Sequence, residues 1–106
     1  MKLNVFERLT LLGLLPKESS FATLKIVNTL QTKLGFSEED HKEFELTQDG
    51  GKFKWNEKGR ELREIEIGDK AKEIIKEELE KLDKERKITL QLYSLYEKFV
   101  MNKEDA

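Results

Sequence analysis

The only histidine, His41, stands among Glu38, Glu39, Asp40 and Glu43, and it is the one side chain whose ordinary titration falls near neutral pH. Its carboxylate neighbours are candidate co-ligands for a metal. No second histidine and no cysteine exists to complete a ligand set, so this group reads as a solvated side chain in an acidic helical turn. The serines lack a G-x-S-x-G elbow, and there is no H-E-x-x-H pair. Asp49-Gly50-Gly51 lacks the Lys-Ser/Thr and the helix start that would aim N–H groups at a phosphate. Between Ile74 and Phe99, Asp83 and Glu85 imitate the opening of a calcium loop. Ile88 stands where that loop needs glycine and Ser94 where it needs a bidentate glutamate. No catalytic residue, metal ligand or cofactor site emerges, and the chain reads as non-enzymatic.

Two charged segments remain as candidate binding surfaces. Residues 37 to 51 carry six acids against Lys42 alone, and Glu38, Glu39, Asp40 and Glu43 are the residues expected to meet a basic protein partner. Residues 52 to 63 hold Lys52, Lys54, Lys58, Arg60 and Arg63, with Phe53 and Trp55 interleaved. Basic and aromatic residues in alternation are what single-stranded nucleic acid requires.

Positioning these residues falls to a hairpin between Phe44 and Trp55. With Asp49-Gly50 as a two-residue turn, Gln48 faces Gly51, Leu46 faces Phe53 and Phe44 faces Trp55, while Glu45 opposes Lys54 on the other side. This register puts Phe53 and Trp55 on a core face and favours packing over base stacking. Arg63 to Ile67 resumes the alternation, so a three-stranded antiparallel meander is expected.

Helices flank it. Asn4 with Glu7 matches a capping box, opening a first helix that Gly13 and Pro16 end. Ser19 and Ser20 offer caps for a second, with Leu24, Val27, Leu30 and Leu34 at helical spacing and Gly35 as its stop. Ser37 caps a short third helix whose first turn holds three carboxylates, where the helix dipole favours them. After Gly68-Asp69, the residues Ala71, Ile74, Ile75, Leu79 and Leu82 mark the most regular helix. Leu92, Leu95, Tyr96 and Phe99 mark the last, and residues 102–106 read as a frayed tail. The element order is ααα-βββ-αα, an α+β class in one domain over residues 1–101.

Composition bounds the rest. A chain of 106 residues buries about 65% of its unfolded surface, enough for one core. Net charge is −2, from 20 basic and 22 acidic residues, so neither nucleic acid nor an anionic membrane is attracted globally. With no cysteine, no disulfide forms and a cytoplasmic setting is expected. The apolar run from Leu3 to Leu15 is interrupted by Glu7, Arg8 and Thr10, so no signal peptide or membrane span is expected.

Three helices followed by a hairpin resemble, in element order, a winged-helix domain with Ser37 to Phe44 as recognition helix. Glu38-Glu39-Asp40 would bring carboxylates to phosphates, which argues against DNA reading in that mode. Asn4-Val5-Phe6-Glu7-Arg8-Leu9 through Leu14-Leu15-Pro16, with Leu95-Tyr96-Glu97-Lys98-Phe99, resembles small phage- or prophage-encoded proteins of unassigned activity. That resemblance implies a small accessory or interaction protein. The expected function is non-catalytic binding of another protein, or of a second copy through Phe6, Leu9 and Leu12. The alternative is nucleic-acid binding through Lys52, Lys54, Lys58, Arg60 and Arg63.

Overall fold

The computed structural model describes residues 1–103, and it is an α+β fold in which helices dominate. Strand β1 (Lys2–Leu3) leads into α1 (Val5–Leu14), α2 (Phe21–Leu34) and α3 (Glu38–Glu43). Strands β2 (Thr47–Asp49) and β3 (Lys52–Lys54) form the hairpin. A 3-10 turn over Glu57–Arg60, then β4 (Arg63–Glu64), α4 (Asp69–Lys84), a second 3-10 turn over Leu90–Leu92 and α5 (Tyr93–Phe99) complete the order.

Local chemistry sets the helix starts. Asn4 accepts from the Glu7 N–H while the Glu7 carboxylate accepts from the Asn4 N–H, so both halves of the capping box are made. Ser37 and Asp40 repeat the arrangement at α3. Ser20, rather than Ser19, caps α2 through the Thr23 N–H. Gly68 begins α4 without a side-chain cap, so Asp69 is already the first helical residue. Its strong apolar stripe buries Ala71, Ile75 and Leu79.

The core has two parts. Leu3, Leu11, Leu15, Val27, Leu30, Leu34, Ile75, Leu79, Leu95 and Phe99 belong to the larger, where α1, α2, α4 and α5 meet. Val5, Phe44 and Leu46 form the smaller, with Leu9, Phe36 and Trp55 packed against it. Helix α1 serves both, because residues on two sides of it are apolar.

The three-stranded meander is not formed. Two separate two-stranded antiparallel sheets replace it, β2 with β3 and β1 with β4. After Trp55 the chain curls into the 3-10 turn, and β4 then pairs with the start of the chain, Lys2 opposite Glu64 and Leu3 opposite Arg63. The hairpin register also differs from expectation. Gly50 and Gly51 are the turn residues, at φ 56° and 82°, and Asp49 pairs with Lys52, Gln48 with Phe53 and Thr47 with Lys54. Positive φ at both central positions is the tight hairpin turn whose twist matches the strands, and two glycines adopt it without a Cβ penalty. Phe53 therefore opposes polar Gln48 and is 43% exposed rather than part of the core face. Phe44 is the C-cap of α3, not a strand residue. It is nonetheless fully buried, and its carbonyl accepts from the Asn56 N–H at 2.8 Å. Of the expected tail, Asn102 and Lys103 are described, with the Lys103 N–H donating to the Glu97 carbonyl. Residues 104–106 lie outside the described residues.

Candidate functional site

The acidic turn and the basic segment meet each other. Glu43, at the end of α3, accepts a hydrogen bond from the Arg63 guanidinium, which also donates to Glu61 at 2.9 Å and lies 5.1 Å over the Phe44 ring. That hydrogen bond, reinforced by the arginine charge, holds the Glu43 carboxyl below its usual range. The two carboxylates in turn push the Arg63 pKa up. Asp40, one turn earlier, lies 3.5 Å from Arg8.

Arg8 is 4% exposed and is held on several sides. Its Nε donates to the Leu34 carbonyl at 3.1 Å and an Nη2 hydrogen to the Gly35 carbonyl, so it ties α1 to the end of α2. The guanidinium stacks 4.0 Å above Phe36. Burial lowers its pKa from the ordinary arginine value, with Asp40 opposing and the like charge of Arg63 adding to the effect. Arg8 and Arg63 line a polar cleft of about 490 Å³ together with Lys33, Phe36, Asp40 and Glu64.

A second buried ionic group crosses the molecule. Lys98 on α5 and Glu7 on α1 are each 4% exposed at the side chain and pair at 2.9 Å. Lys98 also donates to the Lys2 carbonyl, and the Ser94 hydroxyl donates to the second Glu7 oxygen at 2.9 Å. Both Glu7 oxygens serve structure: one closes the α1 capping box and both anchor α5.

The remaining expected site residues are dispersed. Glu38 and Glu39 are exposed on α3. Lys52 and Lys54 flank Phe53 on β3, and Lys58 and Arg60 flank Gly59 in the 3-10 turn, all four exposed. Arg63 is instead paired with Glu43 and Glu61. His41 is exposed, with Nδ1 3.4 Å from the Leu46 carbonyl and its ring edge-on to Phe36. Among the described residues no three His, Cys, Asp or Glu side chains converge as a metal site.

An aromatic face lies near the hairpin. Trp55 is half-buried, its ring 6.3 Å from that of Phe6 on α1 and tilted by 42°. Phe6 is 38% exposed. Phe53, 43% exposed on β3, lies two residues before Trp55, which follows the end of that strand.

Arg8, Glu7, Ser94 and Lys98 were missed as members of ionic groups when read in the sequence. In the sequence Arg8 and Glu7 read as interruptions of an apolar run, and Lys98 carries no role of its own. The signal for Lys98 was its place directly before Phe99, on a stripe with Leu95. No helix among the described residues is long and apolar enough to cross a membrane. No family model, curated protein or solved structure matches this chain.

Proposed function

We propose that this chain is a small non-catalytic interaction domain, acting in the cytoplasm, that binds another protein through an aromatic face built on Phe6, Phe53 and Trp55. The observation that carries this reading is the exposure of Phe6 and Phe53 beside the half-buried Trp55. Large aromatic residues open to solvent are the usual anchors of protein interfaces. The acidic turn contributes less than its composition suggested, because Asp40 and Glu43 are engaged by Arg8 and Arg63. Glu38 and Glu39 remain as its outward charges. Self-association through the same face is the other form of this reading, and an accessory role of the phage or prophage kind rests on the sequence resemblance alone.

The test is co-purification from native cells with the wild-type chain, Phe53→Lys and a control, Leu90→Lys, which alters an exposed leucine elsewhere. A partner retained by the control and lost with Phe53→Lys supports the proposal. Loss with neither variant overturns it. Sedimentation of wild type against Phe53→Lys at high micromolar concentration separates self-association from a foreign partner.

Nucleic-acid binding is the second reading, and Phe53 favours it: the ring is open to stacking and has Lys52 and Lys54 as chain neighbours. Lys58 and Arg60 would extend the surface, whereas Arg63 is engaged with Glu43 and Glu61. Single-stranded oligonucleotide binding that weakens with salt and is lost in Lys52→Glu/Lys54→Glu supports this reading. No binding at low salt excludes it.

A further inference from the structure

Arg8 presents an unusual donor set for so deeply buried a side chain. Its hydrogen bonds and its ion pair use Nε and Nη2, directed at the Leu34 and Gly35 carbonyls and at Asp40. Nη1 takes part in none of them. Among the described residues, no side-chain nitrogen or oxygen sealed from solvent lacks a partner. Nη1 is therefore the solvent-reachable edge of a guanidinium that is otherwise covered, and the space beside Arg8 is the cleft between α2, α3 and β4.

The charges around this cleft are unequally committed. Asp40 accepts from the Ser37 N–H as well as lying 3.5 Å from Arg8, and Glu64 holds the N-terminal ammonium. Arg63 is compensated by Glu43 and Glu61. Lys33, which also lines the cleft, pairs among the described residues with Glu66 at 3.8 Å, a carboxylate that is 90% exposed and lies outside the cleft lining. An exposed pair at that distance is worth little and is readily displaced. Two cationic residues with unspent donor capacity, Arg8 through Nη1 and Lys33 beyond its weak pair with Glu66, thus line one open polar cleft of about 490 Å³. That size suits a small organic ligand.

We propose that this cleft binds a small oxyanion, a carboxylate or a phosphate monoester, through Nη1 of Arg8 and the ammonium of Lys33. The cation already stacks on Phe36 and is fixed by two backbone carbonyls, so ordering it costs the ligand little. Planar guanidinium donors match both anions, and charge-assisted bonds of this kind are about twice as strong as neutral ones. The burial that lowers the Arg8 pKa also leaves its positive charge weakly solvated, a condition that an incoming anion relieves. This site is separate from the aromatic face, so it stands or falls independently of the proposed protein partner.

The test follows the Arg8 Nε–H resonance of the uniformly ¹⁵N-labelled full chain during titration with sodium phosphate, phenyl phosphate and acetate, against sodium chloride at matched ionic strength. A saturable shift with a phosphate or with acetate, absent with chloride, is expected; which anion saturates first identifies the natural ligand chemistry. Lys33→Glu, an exposed substitution, should weaken that binding by about tenfold or more while leaving the melting curve cooperative. Arg8→Lys, if it folds, should abolish it, because lysine keeps the charge but not the fork. Linear, unsaturated shifts, equal shifts with chloride, or undiminished binding in Lys33→Glu would overturn the proposal.

Discussion

Gly59 lies directly against the face of the Trp55 indole: a Cβ built on it would sit 2.2 Å from the indole Cδ1. Glycine is required there by contact rather than by backbone angle. The 3-10 turn over Glu57–Arg60 is in this way seated on the tryptophan, and Asn56 steadies it by accepting from the Lys58 N–H and donating to the Glu43 carbonyl. Gly59→Ala is expected to swing the indole outward, red-shifting tryptophan emission, and to destabilise the fold by about 1–3 kcal/mol. Unchanged emission in the folded variant would contradict this packing.

The Glu7–Lys98 pair predicts a non-additive double mutant. Removing one member leaves an uncompensated buried charge, so Lys98→Met should cost about 3–5 kcal/mol. Adding Glu7→Gln neutralises the stranded carboxylate while keeping an acceptor for the Asn4 N–H. Urea denaturation should find the double variant more stable than Lys98→Met alone.

Acid should weaken the clasp between α3 and β4. The folded pKa of Glu43 is depressed, so its contribution is fully present above the unfolded carboxylate value, about 4.3, and is lost as pH falls through the lower folded value. Glu64 behaves alike, lowered by the N-terminal ammonium. Wild type should therefore be more stable than Glu43→Gln at pH 7, and the two denaturation curves should converge below about pH 4. A gap that widens on acidification would refute the assignment.

Space does not distinguish the two glycines of the hairpin turn, since a Cβ at either meets nothing within 4 Å. Backbone angle is the whole cost. Gly51→Ala, at φ 82°, should destabilise by about 1–2 kcal/mol, whereas Gly50→Asn, at φ 56°, should be nearly neutral because asparagine tolerates that region. Thermal melts of the two variants decide it.

Helices were legible because their signals are local: Asn4 with Glu7, Ser37 with Asp40, and the apolar stripe from Ala71 to Leu82 each act within a few residues. The hairpin was found by its glycines but misregistered, since Asp49-Gly50 and Gly50-Gly51 are both acceptable turns and differ by one position. The meander failed for a different reason. Lys2 and Leu3 give no strand signal of their own, and only the distant Arg63 and Glu64 make them one. The candidate cleft was hidden in the same way: Arg8, Lys33 and Arg63 come from three elements, and Arg8 read alone is a break in an apolar run.

Strand β1 is two residues long, yet it is bonded to β4 across sixty or more positions and to Lys98 across more than ninety. Closing such distances costs entropy before the contacts repay it, so this stitch belongs to the end of folding rather than its start. Once made, it fastens the first helix to the last and to the middle of the chain. Opening it requires losing the Lys98 anchor as well, which places the β1 amides among the slowest to exchange with deuterium despite their position at the start of the chain.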